Sequence, residues 1–168
     1  MVLRHLLSIL ILPFTVTVLF PRWLMRGLSR SDTRWIDGTV AAASAHIVGV
    51  VVFLAGFALF GWCVLLFARV GRGTLAPWDP TRRLVVVGPY RYVRNPMIIG
   101  VLIMLAAEAI FLGSRVAAVW ALMFFVINNI YFVLLEEPGL ERRFGGAYRE
   151  YKAAVGRWLP AAEPWQNA

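Results

Sequence analysis

PMIIGVLIMLAAEAIFLGSRVAAVWALMFFVINNIYFVLLEE, residues 96–137, is two apolar runs with one short break between them. The first run covers 97–112, the second covers 116–135, and Gly113, Ser114 and Arg115 are all that separates them. So tight a joint predicts an antiparallel helical hairpin. The first arm is at the short end for a membrane-spanning helix. It is therefore expected to enter the apolar layer directly after Pro96, at the helix-starting position where proline is tolerated. A hairpin also returns the chain to the face it left. Glu136 and Glu137 are thus expected beside the polar stretch that runs into the hairpin, VGPYRYVRNPMIIG, residues 87–100.

The whole chain fits a membrane setting. Of its 168 residues, 60% are hydrophobic and 15% are charged, whereas soluble domains are about half apolar and about a quarter charged. The expected fold class is an all-α integral membrane protein, one membrane domain over residues 1–168 with about four transmembrane helices. The net charge of +8 would suggest nucleic acid in a soluble chain. Here the arginines sit at the ends of apolar runs and form no continuous stripe, which excludes nucleic acid as a partner and points to membrane lipids. Cys63 is the one cysteine, so neither an intrachain disulfide nor a cysteine metal site can be built, and no metal is expected.

Upstream of the hairpin, residues 1–20 form an apolar run that lacks a small-x-small cleavage site, as expected of a retained first helix rather than a signal peptide. Residues 21–39 carry Arg22, Arg26, Arg30 and Arg34 among tryptophans and leucines, the pattern of an interfacial amphipathic segment. Residues 40–68 are an uninterrupted apolar run of roughly 44 Å as a helix, enough for one long crossing. Ala41, Ala45 and Gly49 make a smooth strip on it for close helix contact. His46 adjoins that strip and is expected to form an interhelical or interfacial hydrogen bond. Glu108, in the hairpin's first arm, is expected to have a structural partner. The connection 69–96 is rich in Arg, Gly and Pro, which rules out a long helix and marks a functional segment. Beyond Glu136 the apolar residues Leu140, Phe144, Tyr148, Tyr151, Val155 and Leu159 recur at helical spacing. They predict an amphipathic helix broken near Gly145–Gly146 and ended before Pro160. With four crossings, twelve Arg and Lys fall on the face shared by 69–96 and the tail, and five on the other. The positive-inside rule then places the 69–96 face in the cytoplasm.

On that face two acids, several arginines, three tyrosines and a Gly/Pro-rich backbone converge. There is no phosphate-binding glycine loop, no Ser/His/Asp set and no His-rich metal cluster. Groups for binding and positioning remain. Methyl transfer from a sulfonium asks for little more, because much of its catalysis comes from orientation and exclusion of water. The bland readings are solvated acids at a helix end for Glu136 and Glu137, headgroup anchors for Arg91 and Arg94, and belt aromatics for Tyr90 and Tyr92. Two acids at a helix C-terminus oppose the macrodipole, so something else should favour them.

GPYRYVRNPMIIG, a hairpin, and then EEPGLERRFGGAYREYKAAVGRWLP together resemble the isoprenylcysteine carboxyl methyltransferase and phospholipid methyltransferase superfamily, over residues 84–160. The first block departs from the isoprenylcysteine pattern: Asn95 stands where that branch has histidine, and Ile98 where it has tyrosine. Asn95-Pro96-Met97 and Glu136-Glu137-Pro138 look like the phospholipid branch, whereas the tail through Tyr148, Tyr151, Arg157 and Pro160 looks like the isoprenylcysteine branch. The resemblance implies S-adenosylmethionine as cofactor and an amphiphilic or lipid acceptor, either a carboxylate or an amine. It implies a cofactor pocket from Gly88, Pro89, Tyr90, Arg94, Asn95, Gly100, Glu136 and Glu137, with Arg94, Asn95 and Glu137 as the catalytic set. Tyr148, Tyr151 and Arg157 would cap the cofactor or bind the acceptor. Asparagine hydrogen-bonds but is no base near neutral pH, so an amine acceptor would lose its proton to a glutamate or to solvent. Two rivals remain open on sequence: a membrane NADPH-dependent sterol-type reductase, which shares a similar basic, tyrosine-containing tail, and a non-enzymatic membrane adaptor.

Overall fold

Two helices dominate, and both are apolar on nearly every side. In the structure, a computed structural model describing residues 14–28, 32, 38–71 and 84–166, α2 covers Thr39–Leu66 and continues through a π-helical turn, Phe67–Gly71. The second, α4, covers Arg115–Tyr131. It runs through another π turn, Phe132–Glu136, into α5, Glu137–Phe144. These two continuous stretches, 33 and 30 residues, are long and apolar enough to cross a membrane. Between them lies α3, Pro96–Leu112, which is apolar and 17 residues long. The described residues hold no strand, only one isolated parallel bridge between Val93 and Gly156. Ile47, Val51, Leu54, Phe57, Leu122, Val126, Leu134 and Leu135 all point outward and stay exposed. A helix that is apolar all round, with large side chains left outside, is suited to lipid rather than water.

Antiparallel packing of α2 on α3 forms the core, around Phe60, Val101, Met104 and Leu105. Glycines set how close the two helices come. A methyl group added at Gly56 would sit 2.8 Å from the Gly100 carbonyl oxygen, and one at Gly100 would sit 2.9 Å from the Gly56 oxygen and the Phe60 nitrogen. Backbone meets backbone at this crossing, as in small-residue membrane interfaces. The smooth strip therefore lies further along than expected. It runs from Gly49, which faces the Phe111 Cβ, to Gly56, while Ala41 at the helix start remains exposed. His46 lies against Phe111, ring centroids 4.5 Å apart, an interhelical ring contact in place of the expected hydrogen bond.

The hairpin joint is as tight as its sequence requires. Gly113 closes α3 in the left-handed region, φ 59°, where glycine carries no Cβ penalty. Ser114 then caps α4, its Oγ accepting from the Ala117 N–H at 3.1 Å. The same hydroxyl donates to Asp32 at 2.7 Å, and the Val116 N–H donates to the other Asp32 oxygen at 3.2 Å. Preceding α2 is α1, Phe20–Leu28, with Arg22, Trp23 and Arg26 on its exposed side and Phe20 stacked on Trp120. Most of the predicted first crossing and the rest of the 21–39 segment lie outside the described residues.

At its polar end the chain differs from expectation twice. The helix does not stop at Glu136 but passes through Glu137 and Pro138 to Phe144. Proline there normally clashes with the carbonyl four residues back. The wider π turn, in which the Glu137 N–H bonds to the Phe132 carbonyl, absorbs that misfit. After the expected break at Gly145, φ 57°, α6 covers Gly146–Ala154 and ends there, short of Pro160. Its backbone is taken up elsewhere: Arg94 N–H donates to Gly156 O, Ala161 N–H to Tyr92 O and Trp165 N–H to Arg91 O, at 2.7–2.9 Å. The tail is thereby strapped onto the residues that precede α3.

Gly56→Ala should lower the melting temperature in detergent, at a cost of about 1–3 kcal/mol from overpacking against backbone that cannot yield. Gly61→Ala, on the same helix with nothing within 4 Å of the added methyl, should leave it unchanged or raise it slightly. Equal effects of the two would contradict the glycine crossing.

Candidate functional site

Arg94, Glu137, Lys152 and Arg157 come from four separate segments and meet at one point. Glu137 opens α5 and is 5% exposed. Its Oε1 accepts from Arg94 Nη1 at 2.9 Å and from Arg157 Nε at 2.6 Å, and its Oε2 faces Lys152 Nζ at 3.2 Å. Lys152, on α6, also reaches Glu141 Oε1 at 2.8 Å. Arg94 is held by the short connection before Pro96, and Arg157 by the tail. A carboxylate this buried is tolerable only with close, charge-assisted partners. Glu141 first, and Glu137 with it, hold the Lys152 ammonium above its usual range, and the Glu137 carboxylate does the same for the Arg157 guanidinium.

Neutral groups brace the charges. Asn95 Nδ2 donates to the Arg157 carbonyl at 3.4 Å. Asn129 Oδ1 accepts from Trp158 Nε1 at 2.9 Å and from Arg157 Nη1 at 3.4 Å. Tyr148 OH lies 3.4 Å from Arg94 Nη1, and Tyr151 OH donates to the Tyr90 carbonyl at 2.6 Å. Burial pushes the Tyr90, Tyr148 and Tyr151 hydroxyls upward, for Tyr148 against the opposing pull of Arg94, so all three are neutral at physiological pH.

Two groups are left over. Arg94 Nε is buried without a hydrogen-bond partner. Glu136 is half-buried, and none of the ion pairs among the described residues includes it. An unsatisfied buried donor and an unpaired carboxylate one residue from the cluster are what a site for a zwitterionic or polyhydroxylated ligand would leave open.

The expected site residues divide accordingly. Arg94, Asn95, Glu137, Tyr148 and Arg157 come together, with Glu136 one residue away from Glu137 and Tyr151 joined to the same assembly through Tyr90. Gly100 is occupied by the crossing with α2. Gly88 takes a left-handed turn, φ 58°, and faces Leu66 and Trp62 of α2, while Pro89 begins the 3₁₀ turn Gly88–Arg91. Tyr90 packs against Cys63, Val85 and Phe67. These four shape and seat the block; the charges lie beyond them. Asn129 and Lys152 were not among the expected residues. Asn128–Asn129 is an amide pair inside the apolar run 116–135, and an amide in a membrane-spanning helix is costly enough to be a signal in itself.

A family model described as phospholipid methyltransferase matches residues 44–147. An uncharacterized protein of Haemophilus influenzae is 36% identical over 63 residues, which is 38% of this chain and 100% of that protein. No solved structure matches. The family match takes in α2 to α5 and the connection carrying Arg94, and ends just before Tyr148, leaving the tail outside it.

Glu137→Gln should destabilise the fold by about 3 kcal/mol, since it leaves the largely buried Arg94 short of its counter-charge. Glu136→Gln should change stability by less than about 0.5 kcal/mol. Thermal or denaturant unfolding of both variants in detergent checks the contrast, and a Glu137→Gln variant as stable as wild type would contradict it.

Proposed function

This chain belongs to the phospholipid methyltransferase family, and from that premise we propose that it transfers a methyl group from S-adenosylmethionine to the head of a lipid-like acceptor. The observation that carries the proposal is the unequal use of the two adjacent acids. Glu137 is consumed by three cations, while Glu136 and the buried Arg94 Nε donor are left without a partner among the described residues.

These leftover groups fit the cofactor's chemistry. Arg94 Nε would donate to its carboxylate, and Glu136 would accept from its ammonium or ribose hydroxyls. When bound, the sulfonium supplies an electrophilic methyl group at neutral pH. The chain's own residues do the rest. Glu137 holds Arg94 and Arg157 in place, so their guanidiniums arrive pre-positioned. Asn95 spans from the Arg94 connection to the tail and has no basic atom to offer. For an amine acceptor of the phospholipid type a proton must leave before nitrogen can attack, and a glutamate or solvent takes it. The family favours an amine over an isoprenylcysteine-type carboxylate. Arg157 and Tyr148 would face the acceptor's polar head. Given four crossings, the twelve-to-five distribution of Arg and Lys favours a site in the cytoplasmic leaflet.

Isothermal titration of detergent-purified protein with S-adenosylhomocysteine should give saturable binding. Glu136→Gln should weaken it at least roughly tenfold, the loss expected for one charge-assisted hydrogen bond, with an unchanged melting temperature. Absence of binding to folded wild-type protein, together with thermal protection by NADPH, would overturn the proposal in favour of a reductase.

A further inference from the structure

Trp158 lies in an unexpected place for a residue in a polar tail. Its indole contacts the rings of Phe125 and Phe132, centroids 5.0 and 5.6 Å away, and donates to Asn129 at 2.9 Å. Phe125, Asn129 and Phe132 recur at spacings of four and three, so they share one face of α4. At the helical rise they lie roughly 8–18 Å along the axis before Glu137. The tail thus dips from the charged cluster alongside the apolar helix. Leu159, the next residue, is 80% exposed, a costly position in water and an ordinary one in hydrocarbon. The neighbouring outward residues of α4, Val126, Ile130 and Val133, are exposed and apolar as well.

The segment that dips is short and pinned on both sides. Gly156 O is fixed by the Arg94 N–H at 2.9 Å, and the Ala161 N–H by Tyr92 O at 2.7 Å. Between these pins, Arg157 belongs to the charged cluster and Trp158 to the apolar face. One residue faces the cluster, and the next packs on the apolar face of α4. An acceptor whose head reaches Arg94, Glu136 and Arg157 while its hydrocarbon stays in the membrane has a route past this point.

We infer that residues 157–160 form the lateral threshold of the site, and that Trp158, seated by Asn129, is the residue that determines which acceptors cross it by the width of their hydrocarbon part. The inference deepens the methyl-transfer reading and rests on it for the nature of the acceptor. Its structural half, a tail loop immersed at the membrane side of the site, can be measured without any turnover.

Two measurements decide it. A nitroxide attached at Leu159→Cys, in protein reconstituted into phosphatidylcholine vesicles, reports the loop's surroundings; Cys63 is fully buried and is spared labelling in the folded chain. Collisions with oxygen should dominate over those with a water-soluble nickel chelate, and nickel dominance would overturn the threshold whatever the activity. The second measurement compares one-chain and two-chain phosphatidylethanolamines as acceptors for wild type, Trp158→Phe and Trp158→Ala. Trp158→Ala should lower the KM ratio of two-chain to one-chain acceptor about tenfold, the scale of discrimination by apolar bulk, with kcat nearly unchanged and Trp158→Phe intermediate. An unchanged ratio overturns the specificity role. A lipid-facing Leu159 with no turnover of either acceptor by wild type overturns the methyl-transfer reading and Trp158's selective role with it.

Discussion

One buried carboxylate, that of Glu137, governs the polar end of this molecule. Removing a carboxylate from water costs several kcal/mol even after relaxation. The chain meets that cost with Arg94, Lys152 and Arg157, which come from three other segments. These pairs bring the connection before α3, the end of the long α4–α5 helix, α6 and the tail to one point. The backbone bonds from Arg91, Tyr92 and Arg94 to the tail then follow from that placement. Polar strapping of this kind matters at a membrane surface, where apolar burial between segments offers less than it does in water.

The same carboxylate explains why two adjacent acids are not redundant. A helix rotates by about 100° per residue, so Glu136 and Glu137 face different surroundings. Glu137 turns to the cations and becomes part of the scaffold; Glu136 turns away from them and keeps its acceptor capacity. The π turn that carries Glu136 also lets Pro138 follow without breaking the helix. Latch and unpaired acid are thereby separated within one dipeptide.

Run length and the three-residue joint made the hairpin legible, because helices 97–112 and 116–135 have no other way to be joined by Gly113, Ser114 and Arg115. Proximity of Glu136–Glu137 to the 87–95 stretch followed from that topology, and so did the charged cluster in outline. Position within the glycine strip was not legible: Ala41, Ala45 and Gly49 fit close packing as well as Gly49 and Gly56 do, and only the register against Gly100 and Phe111 selects between them. The tail misled for a physical reason. Val155 and Leu159 continue the helical spacing of Tyr148 and Tyr151, but periodicity records which residues are apolar and says nothing of a competing partner for the backbone. The carbonyls of Arg91 and Tyr92 and the Arg94 N–H supply that partner, and the helix ends at Ala154. Asn129 was hidden in an apolar run that a hydropathy reading averages over.

Charge balance finally constrains what the site accepts. Arg94, Lys152 and Arg157 are matched by Glu137, Glu141 and Glu136, so the cluster is neutral only with Glu136 counted among the acids. A cationic ligand group placed there takes the total to one positive charge, since Glu136 is already counted against the three cations. Methylation of a neutral amine conserves that arrangement, because positive charge leaves the sulfur as it appears on nitrogen and no net charge is created in the site. Methylation of a carboxylate would instead cancel charge, and it would call on the guanidiniums to release an anion they had bound. With Arg94 and Arg157 already held by Glu137, the electrostatics are consistent with the proposed amine acceptor. Asn95, which can accept or donate a hydrogen bond without changing its charge, leaves that balance undisturbed.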